Sequence, residues 1–430
     1  MPAEAPVLRK ASRQPMEVFE RLESQVRSYI RAFPTVFTVA RGAFLWDVRG
    51  RRYIDFFAGA GALNYGHNEP RLKEALLRYL AEDGVAHALD MGTAAKAEFL
   101  ETLESLILEP RGLPYRVMFP GPTGTNAVEA ALKLARKVTG RAGVVGFTHG
   151  FHGMTLGALA ASGNRRKRRA AGLPLQGAVA MPYDGFLGGG VDTVAVLRRY
   201  LEDDGSGLDR PAAVLVETVQ GEGGVDTGSE GWLRRLAALC REHGVLLIVD
   251  DIQVGCGRTG PFFSFEPAGL RPDMVCLSKS ISGFGLPMSL LLVRPELDVW
   301  EPGEHNGTFR GNTLAFVTAT AALRAYWSDG RLSREVARKA AHLERRLAGW
   351  VEAFPGLRAE VRGRGLIQGL ACPEPGVAEA VCRKAFERGL VVETSGAEGR
   401  VVKILPPLVI DDADLEEGCA ILERCLADSA

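Results

Sequence analysis

The 430-residue sequence lacks a net charge, because 52 Lys and Arg residues balance 52 Asp and Glu residues. A protein whose main task is to bind nucleic acid usually carries a basic excess, so this class of function is not expected. No apolar run is long enough to span a membrane, and the N-terminal residues lack the apolar core of a signal peptide. We therefore expect a cytoplasmic protein with no nucleic-acid partner and no membrane partner.

Cysteine pairs and metal-binding spacings are also lacking. The seven cysteines are scattered, and their odd number argues against a framework of disulfides. No close pair has the spacing of zinc ligands, so the sequence predicts no metal site. Reduced thiols fit the cytoplasmic environment that we expect.

One cluster of like charge stands out, at residues 165–169, which read Arg-Arg-Lys-Arg-Arg. Such a run can be a localisation signal or a phosphate-binding patch. In a neutral chain a plain solvated face is the more common explanation, and we favour it.

Short apolar segments alternate with helical patterns in the middle of the chain. Several segments lack polar alternation, which is typical of strands covered on both faces. Helical patterns such as 126–139 and 231–243 lie between them. This order predicts an α/β domain around a mostly parallel sheet. The candidate strands are residues 116–119, 144–147, 213–217, 246–251, 274–278 and 289–293.

The C-terminal part differs, because charged helical patterns at 335–354 and 378–388 surround short strand patterns. This arrangement predicts a smaller α+β domain. The N-terminal residues contain two short strand patterns around a turn, and we expect them to pack with that domain. The predicted division is an N-terminal segment at 1–60, a large domain at 61–325 and a small domain at 326–430.

Residues 121–126, Gly-Pro-Thr-Gly-Thr-Asn, follow a predicted strand and open a predicted helix. Small residues allow backbone N–H groups to approach an anion, and the helix N-terminus adds about half a positive charge. Thr123 and Thr125 can donate hydroxyl hydrogen bonds to the same anion. The alternative is a simple turn with Asn126 or Thr125 as N-cap, which the motif alone slightly favours.

Two ionisable residues end apolar strands. Asp250 lies at the carboxyl end of a predicted buried strand, where open α/β sheets bind ligands, and its carboxylate can keep a ring nitrogen protonated. Lys279 precedes a glycine-rich stretch, and poor solvation there would lower its pKa and make the amine nucleophilic. The alternatives are a capping aspartate and a lysine that reaches solvent from a strand end.

Three further segments are less specific. Phe151 could stack on a flat ligand ring, or it could pack in the core, with His152 as an ordinary hydrogen-bonded histidine. A polar loop at 305–312 could cap the next helix or reach a ligand in a neighbouring subunit. Residues 255–260 match Gly-X-Gly-X-X-Gly, but no helix is predicted directly after them, so a nicotinamide-dependent dehydrogenase is only a remote alternative.

In their order along the chain, these segments resemble the class III (ornithine/ω-amino-acid) group of pyridoxal-phosphate-dependent aminotransferases, over about residues 33–408. Further landmarks are Asn64-Tyr65-Gly66-His67, residues 220–224 and Pro406-Pro407. The resemblance implies the fold type I of these transferases, with a large domain around a mostly parallel sheet of seven strands and a smaller α+β domain. It also implies pyridoxal 5'-phosphate as cofactor, with amino acids and aldehydes or 2-oxo acids as substrates.

The resemblance implies roles for individual residues. Lys279 matches the lysine that binds the cofactor as a Schiff base and moves the proton, and Asp250 matches the aspartate beside the pyridinium nitrogen. Gln253 matches the residue near the ring hydroxyl, and Phe151 matches the stacked aromatic ring. Thr308 matches a threonine that reaches the phosphate across a dimer interface, which implies a homodimer and leaves a higher oligomer open. The other cofactor-binding matches are Thr123, Gly124 and Thr125 in the phosphate cup, with His152 and Glu217.

Two positions depart from the pattern of this family. Asp251 stands where glutamate is usual, and Lys403 stands where the family has the arginine that binds the substrate α-carboxylate. Lysine keeps the positive charge but lacks the bidentate geometry. Glu222 matches the residue that masks this cation, and Tyr29 is a further candidate for substrate binding.

Within the family, several runs resemble the diaminobutyrate–2-oxoglutarate aminotransferases of ectoine-type pathways. This implies reversible transfer of the amino group of L-glutamate to L-aspartate 4-semialdehyde, giving L-2,4-diaminobutyrate and 2-oxoglutarate. Ornithine, 4-aminobutyrate or another terminal amine is the alternative substrate. The runs are residues 33–37, 56–65, 89–91, 278–285 and 304–312.

Overall fold

The computed structural model describes residues 16–430, and its largest sheet has seven strands. The Leu290–Val293 strand is antiparallel to both of its neighbours, whereas the strands from Met274–Leu277 to the far edge are parallel to one another. The predicted α/β class with a mostly parallel sheet is confirmed. The spatial order is Arg116–Met118, Leu290–Val293, Met274–Leu277, Leu246–Asp250, Ala213–Val216, Val144–Phe147 and Ala178–Met181.

The central strands consist of aliphatic residues because helices cover both faces of the sheet. Every residue of Ala213–Val216, Met274–Leu277 and Leu290–Val293 is buried. All six predicted strands are present, most of them one residue shorter than predicted. The edge strand Ala178–Met181 was not predicted, because two of its four residues are exposed and it lacks a continuous apolar run.

Helices pack against the large sheet and around the C-terminal strands. The helix Gly124–Thr139 buries a face of alanine, valine and leucine. Its N-cap is Thr123, so the predicted cap at Thr125 or Asn126 is wrong. Extended backbone at Thr123 lets the Asn126 side chain accept a hydrogen bond from the Thr123 backbone N at 3.1 Å. The other right-handed α-helices are Glu17–Leu22, Tyr29–Ala32, Pro70–Ala81, Ala94–Leu103, Leu156–Ala161, Arg165–Arg169, Thr193–Glu202, Glu230–Glu242, Thr313–Tyr326, Arg331–Ala353, Val377–Glu387 and Asp412–Ala427.

A four-stranded sheet joins the two ends of the described chain. Its strands Phe37–Arg41, Phe44–Asp47 and Arg52–Asp55 pair antiparallel, and Leu390–Val391 pairs parallel with the last of them. This pairing is compatible with the predicted division at residues 60 and 325, which stays a prediction. A two-stranded ribbon pairs Val219–Gln220 with Asp226–Thr227. The C-terminal antiparallel sheet has the order Glu360–Arg364, Ile367–Ala371, Val401–Ile404 and Glu393–Ser395.

A left-handed turn follows the strand Arg52–Asp55. The φ angles of Ala58, Gly59, Ala60 and Gly61 are 46°, 58°, 55° and 86°. The left-handed region costs about 1–2 kcal/mol for each alanine. Strain of this kind persists where surrounding structure enforces it, commonly near functional sites.

Two other sequence patterns fold differently from their simplest interpretation. Residues 255–260 lie in successive turns, which lead to the short 3-10 helix Glu266–Ala268 and not to the helix of a dinucleotide fingerprint. The basic run forms the helix Arg165–Arg169. The prediction that its side chains are simply solvated is wrong for two of them. Arg168 donates to the carbonyls of Leu159 and Ser162, and Lys167 Nζ lies 3.9 Å from the Phe151 ring centroid.

Candidate active site

A cavity of about 190 Å³ lies where several strands of the large sheet reach their carboxyl ends. Open α/β sheets bind ligands at this edge. The cavity collects nine of the thirteen predicted site residues, together with Gly153 and Ile252. Those nine are Gly124, Thr125, Phe151, His152, Glu217, Glu222, Asp250, Gln253 and Lys279.

Buried carboxylates and a histidine form the floor of the cavity. Asp250 Oδ2 lies 2.7 Å from His152 Nδ1, and both side chains are buried. Burial lowers the pKa of His152, but the hydrogen bond and charge of Asp250 outweigh it and raise this pKa. Glu217 accepts a hydrogen bond from the Phe151 backbone N at 2.9 Å, and burial raises the pKa of Glu217 to about 8. The contact with His152 fixes the direction of the Asp250 carboxylate.

Lys279 begins a short 3-10 helix, Lys279–Ser282, just after the strand Met274–Leu277, and its φ is 52°. Its Nζ donates a hydrogen bond to the Ala60 carbonyl at 2.8 Å. Burial lowers the pKa of Lys279, although Glu222 opposes this effect. A larger neutral fraction makes this amine a better nucleophile at neutral pH.

A cradle of small residues lies at the N-terminus of the helix Gly124–Thr139. The first turn of a helix leaves backbone N–H groups without intrahelical partners. A Cβ atom added to Gly124 would lie 2.8 Å from Ile252 Cδ1, and one added to Gly153 would lie 2.2 Å from Thr125 Oγ1. Glycine at both positions therefore lets Ile252 and Thr125 pack closely at the helix N-terminus, the end of a helix that is suited to bind an anion.

Gln253 and Phe151 complete the cavity wall. The Gln253 side chain donates to the Ala60 carbonyl at 2.9 Å and to Glu222 Oε1 at 3.1 Å. Its buried Oε1 has no hydrogen-bond partner among residues 16–430, so it can receive a donor from a ligand. Phe151 is half-buried and lines the same space.

Lys403 lies behind the cavity and is fully buried. Its Nζ is 2.7 Å from Glu222 Oε1 and 2.7 Å from Glu393 Oε1. Sequence reasoning missed Glu393, which pairs directly with Lys403 across two antiparallel strands. The short apolar run before Glu393 indicates a strand. Only the register of that strand would have placed Glu393 opposite Lys403.

Three of the predicted positions need separate description. Tyr29 is 48% exposed and lies beside Phe57, with ring centroids 5.0 Å apart. Its partial burial, followed by the charge of Glu393, raises its pKa. Thr123 is exposed at the helix N-cap, and Thr308 is exposed in a turn. Thr123 and Thr308 do not line the cavity of the described chain.

The sequence profile of the aminotransferase class-III family matches residues 27–426. The chain belongs to this family. A diaminobutyrate–2-oxoglutarate transaminase of Bordetella parapertussis is 58% identical over 419 residues, covering 96% of this chain and 95% of that protein. The same enzyme of Nocardia farcinica is 60% identical over 405 residues, covering 94% of this chain and 92% of that protein.

Solved structures of aminotransferases share the fold of this class III aminotransferase. The ornithine aminotransferase of Toxoplasma gondii superposes with a TM-score of 0.84 at 30% identity, covering 96% of this chain and 94% of that one. Another structure of that protein has partial occupancy of PLP at its active site. An aminotransferase of Bacillus anthracis, 23% identical with a TM-score of 0.85, shows the fold alone, over 96% of this chain and 97% of that one. The predicted fold type is confirmed.

In the part of the chain that the structure describes, no helix is long and apolar enough to cross a membrane. All seven cysteines are free thiols, six of them buried.

Proposed function

We propose that this aminotransferase transfers the amino group of L-glutamate to L-aspartate 4-semialdehyde, giving L-2,4-diaminobutyrate and 2-oxoglutarate, in a reversible reaction. The carrying observation is that the Lys279 amine and the Asp250 carboxylate line one cavity beside a helix N-terminus. The relatives at 58% and 60% identity, which bear the name diaminobutyrate–2-oxoglutarate transaminase, support the choice of substrate.

The residues of the cavity fit pyridoxal 5'-phosphate. Lys279 would hold it covalently, Gly124 and Thr125 would bind its phosphate, and the partnerless Gln253 Oε1 would receive a hydrogen bond from its ring hydroxyl. Phe151 would cover one ring face, and Asp250 would lie at the ring nitrogen. When bound, this cofactor draws electrons away from the substrate carbon that carries the amine.

The chain supplies proton transfer and a dry site. When it is not bound to the cofactor, the Lys279 amine would accept the proton from the substrate carbon that carries the amino group and would return it later in the half-reaction. Its lowered pKa increases the fraction of the amine that is in the proton-accepting form. Asp250, oriented by His152, would hold a proton at the ring nitrogen of the cofactor. Glu217 positions the Phe151 backbone.

Lys403 supplies a cation for a substrate carboxylate, in place of the arginine that is usual in the family. Glu222 lies between Lys403 and the cavity, so it must release this cation before a carboxylate can reach it. Tyr29 adds a hydroxyl group close enough for Glu393 and Glu222 to raise its pKa.

We further propose a cytoplasmic homodimer in which Thr308 contacts the phosphate in the partner's active site. Exposure of Thr308 and Phe309 within one chain supports this assignment. Thr308→Ala should weaken cofactor binding in the intact dimer. Sedimentation measures the mass, and a monomer at working concentration would contradict the proposal.

The function is tested by adding single donors to the purified holoenzyme. L-Glutamate and L-2,4-diaminobutyrate should each abolish the visible absorbance of the bound cofactor, because each completes one half-reaction. Ornithine and 4-aminobutyrate serve as competing terminal amines. A response to glutamate and ornithine but not to diaminobutyrate would sink the substrate assignment and retain the aminotransferase.

Gly153→Ala should weaken cofactor binding by about tenfold, because strain at positive φ costs about 1–3 kcal/mol and the new Cβ meets Thr125. Titration of the apoenzyme with pyridoxal phosphate measures the dissociation constant. Gly172→Ala is the matched control, because Gly172 also has positive φ but nothing lies within 4 Å of its added Cβ. Equal affinities of the two variants would show that the cradle does not bind the cofactor.

A further inference from the structure

Lys403 is shared between two carboxylates, which leaves a buried excess of negative charge beside the cavity. Glu222 and Glu393 each approach Nζ to 2.7 Å, and the lysine is fully buried. One ammonium group cannot neutralise two carboxylates. A buried ion that is not fully paired is costly, so this group of three attracts further positive charge.

The two carboxylates do not share the lysine equally. Burial raises the pKa of Glu222, but Lys403 outweighs it and holds this pKa well below its usual range. Burial and the charge of Glu222 raise the pKa of Glu393 above its usual value, although Lys403 is equally near. Glu393 and Lys403 form an ion pair, but Glu393 Oε1 does not accept a hydrogen bond within the described chain.

The strand register fixes Glu393 in this place. Glu393 and Lys403 are directly opposed in the antiparallel pair of Glu393–Ser395 with Val401–Ile404. Opposed side chains on one face of a sheet are near neighbours. Glu222 instead reaches Lys403 from a turn next to the ribbon strand Val219–Gln220, and it alone of the two acids lines the cavity.

We propose that Glu393 is a positioning residue that sets the preference between the two amino donors. Glu393 adds a second carboxylate to the Glu222–Lys403 pair, so the three groups together place an excess of negative charge beside the cavity wall. This inference rests on the proposed function.

The charges of the two donors differ at this wall. When the reacting amine is uncharged, L-glutamate carries two carboxylates and no remaining cation. L-2,4-Diaminobutyrate, reacting at its terminal amine, still carries an ammonium group beside its carboxylate. The excess negative charge therefore repels glutamate and attracts the remaining ammonium group of diaminobutyrate. Of the two acids that contact Lys403, Glu222 is the one that lines the cavity.

The test compares Glu393→Gln with the unchanged enzyme in the two half-reactions, measured separately from the loss of visible absorbance. Glutamine keeps the shape and removes the charge, so KM for glutamate should fall and KM for diaminobutyrate should rise. We expect the ratio of the two kcat/KM values to change by about tenfold, the scale of one charge–charge interaction in a partly solvated site. Glu393→Asp, which keeps the charge, should restore part of the preference.

Glu398→Gln is the matched control. Glu398 is exposed on the same hairpin, and its substitution removes the same charge. A ratio that changes equally in this variant, or does not change in Glu393→Gln, would overturn the inference. Failure of the unchanged enzyme to react with diaminobutyrate would instead refute the proposed function. A merely structural role would lower thermal stability without moving the two KM values in opposite directions.

Discussion

Lys279→Ala should lower the rate of transamination by about 10⁴-fold or more, the upper range for loss of a general acid–base. The buried amine is the one lysine nitrogen that lines the cavity in the described chain. Alanine removes both the covalent attachment of the cofactor and the group that moves the proton. The visible absorbance of the purified variant and its half-reaction rate with glutamate measure the two losses separately.

A small added amine should restore part of the Lys279→Ala rate, because the void left by the side chain can admit a substitute proton acceptor. Lys167→Ala is the matched control, since Lys167 Nζ lies over the Phe151 ring and does not line the cavity. Unchanged activity in Lys279→Ala would refute the aminotransferase mechanism. An unfolded variant is recognised by its circular dichroism, and Lys279→Arg then tests the same role with the charge retained.

The large sheet could be predicted because its strands are continuous apolar runs. Ala213–Val216 and Met274–Leu277 are covered on both faces, so composition alone reveals them. Ala178–Met181 could not be found in this way, because an edge strand has no need for two apolar faces. The left-handed turn at residues 58–61 was not predicted either, because nothing in the sequence indicates alanine at positive φ.

Site residues that match a family position could be predicted from the sequence. A residue that reaches the site only through the register of two paired strands was missed. Asp250 ends its strand and Lys279 comes shortly after the neighbouring parallel strand, so their meeting at one sheet edge follows from the parallel arrangement. The approach of Glu393 to Lys403 depends on which residues of two short strands are opposed. A shift of one residue would turn Glu393 to the other face, and the sequence does not fix that register.

Asp250→Asn should lower kcat of the glutamate half-reaction by about 10²–10³-fold, the usual loss when one oriented electrostatic partner is removed. Asparagine keeps the shape and the contact with His152 but has no charge to hold a proton at the ring nitrogen. Without that proton the ring draws electrons less strongly from the reacting carbon. KM should change much less than kcat, because Asp250 acts through the cofactor and not on the substrate.

The same substitution has a second consequence, because Asp250 raises the pKa of His152 against the lowering effect of burial. His152 in the variant should therefore lose its proton at a lower pH, and NMR titration of the imidazole checks this shift. Asp251→Asn is the matched control, since Asp251 bonds to Ser264 and does not line the cavity. Equal losses of kcat in both variants would mean that each buried carboxylate stabilises the fold, and would contradict a specific role for Asp250 at the cofactor. A loss confined to Asp250→Asn, with a lowered His152 pKa, would place the ring nitrogen at this carboxylate.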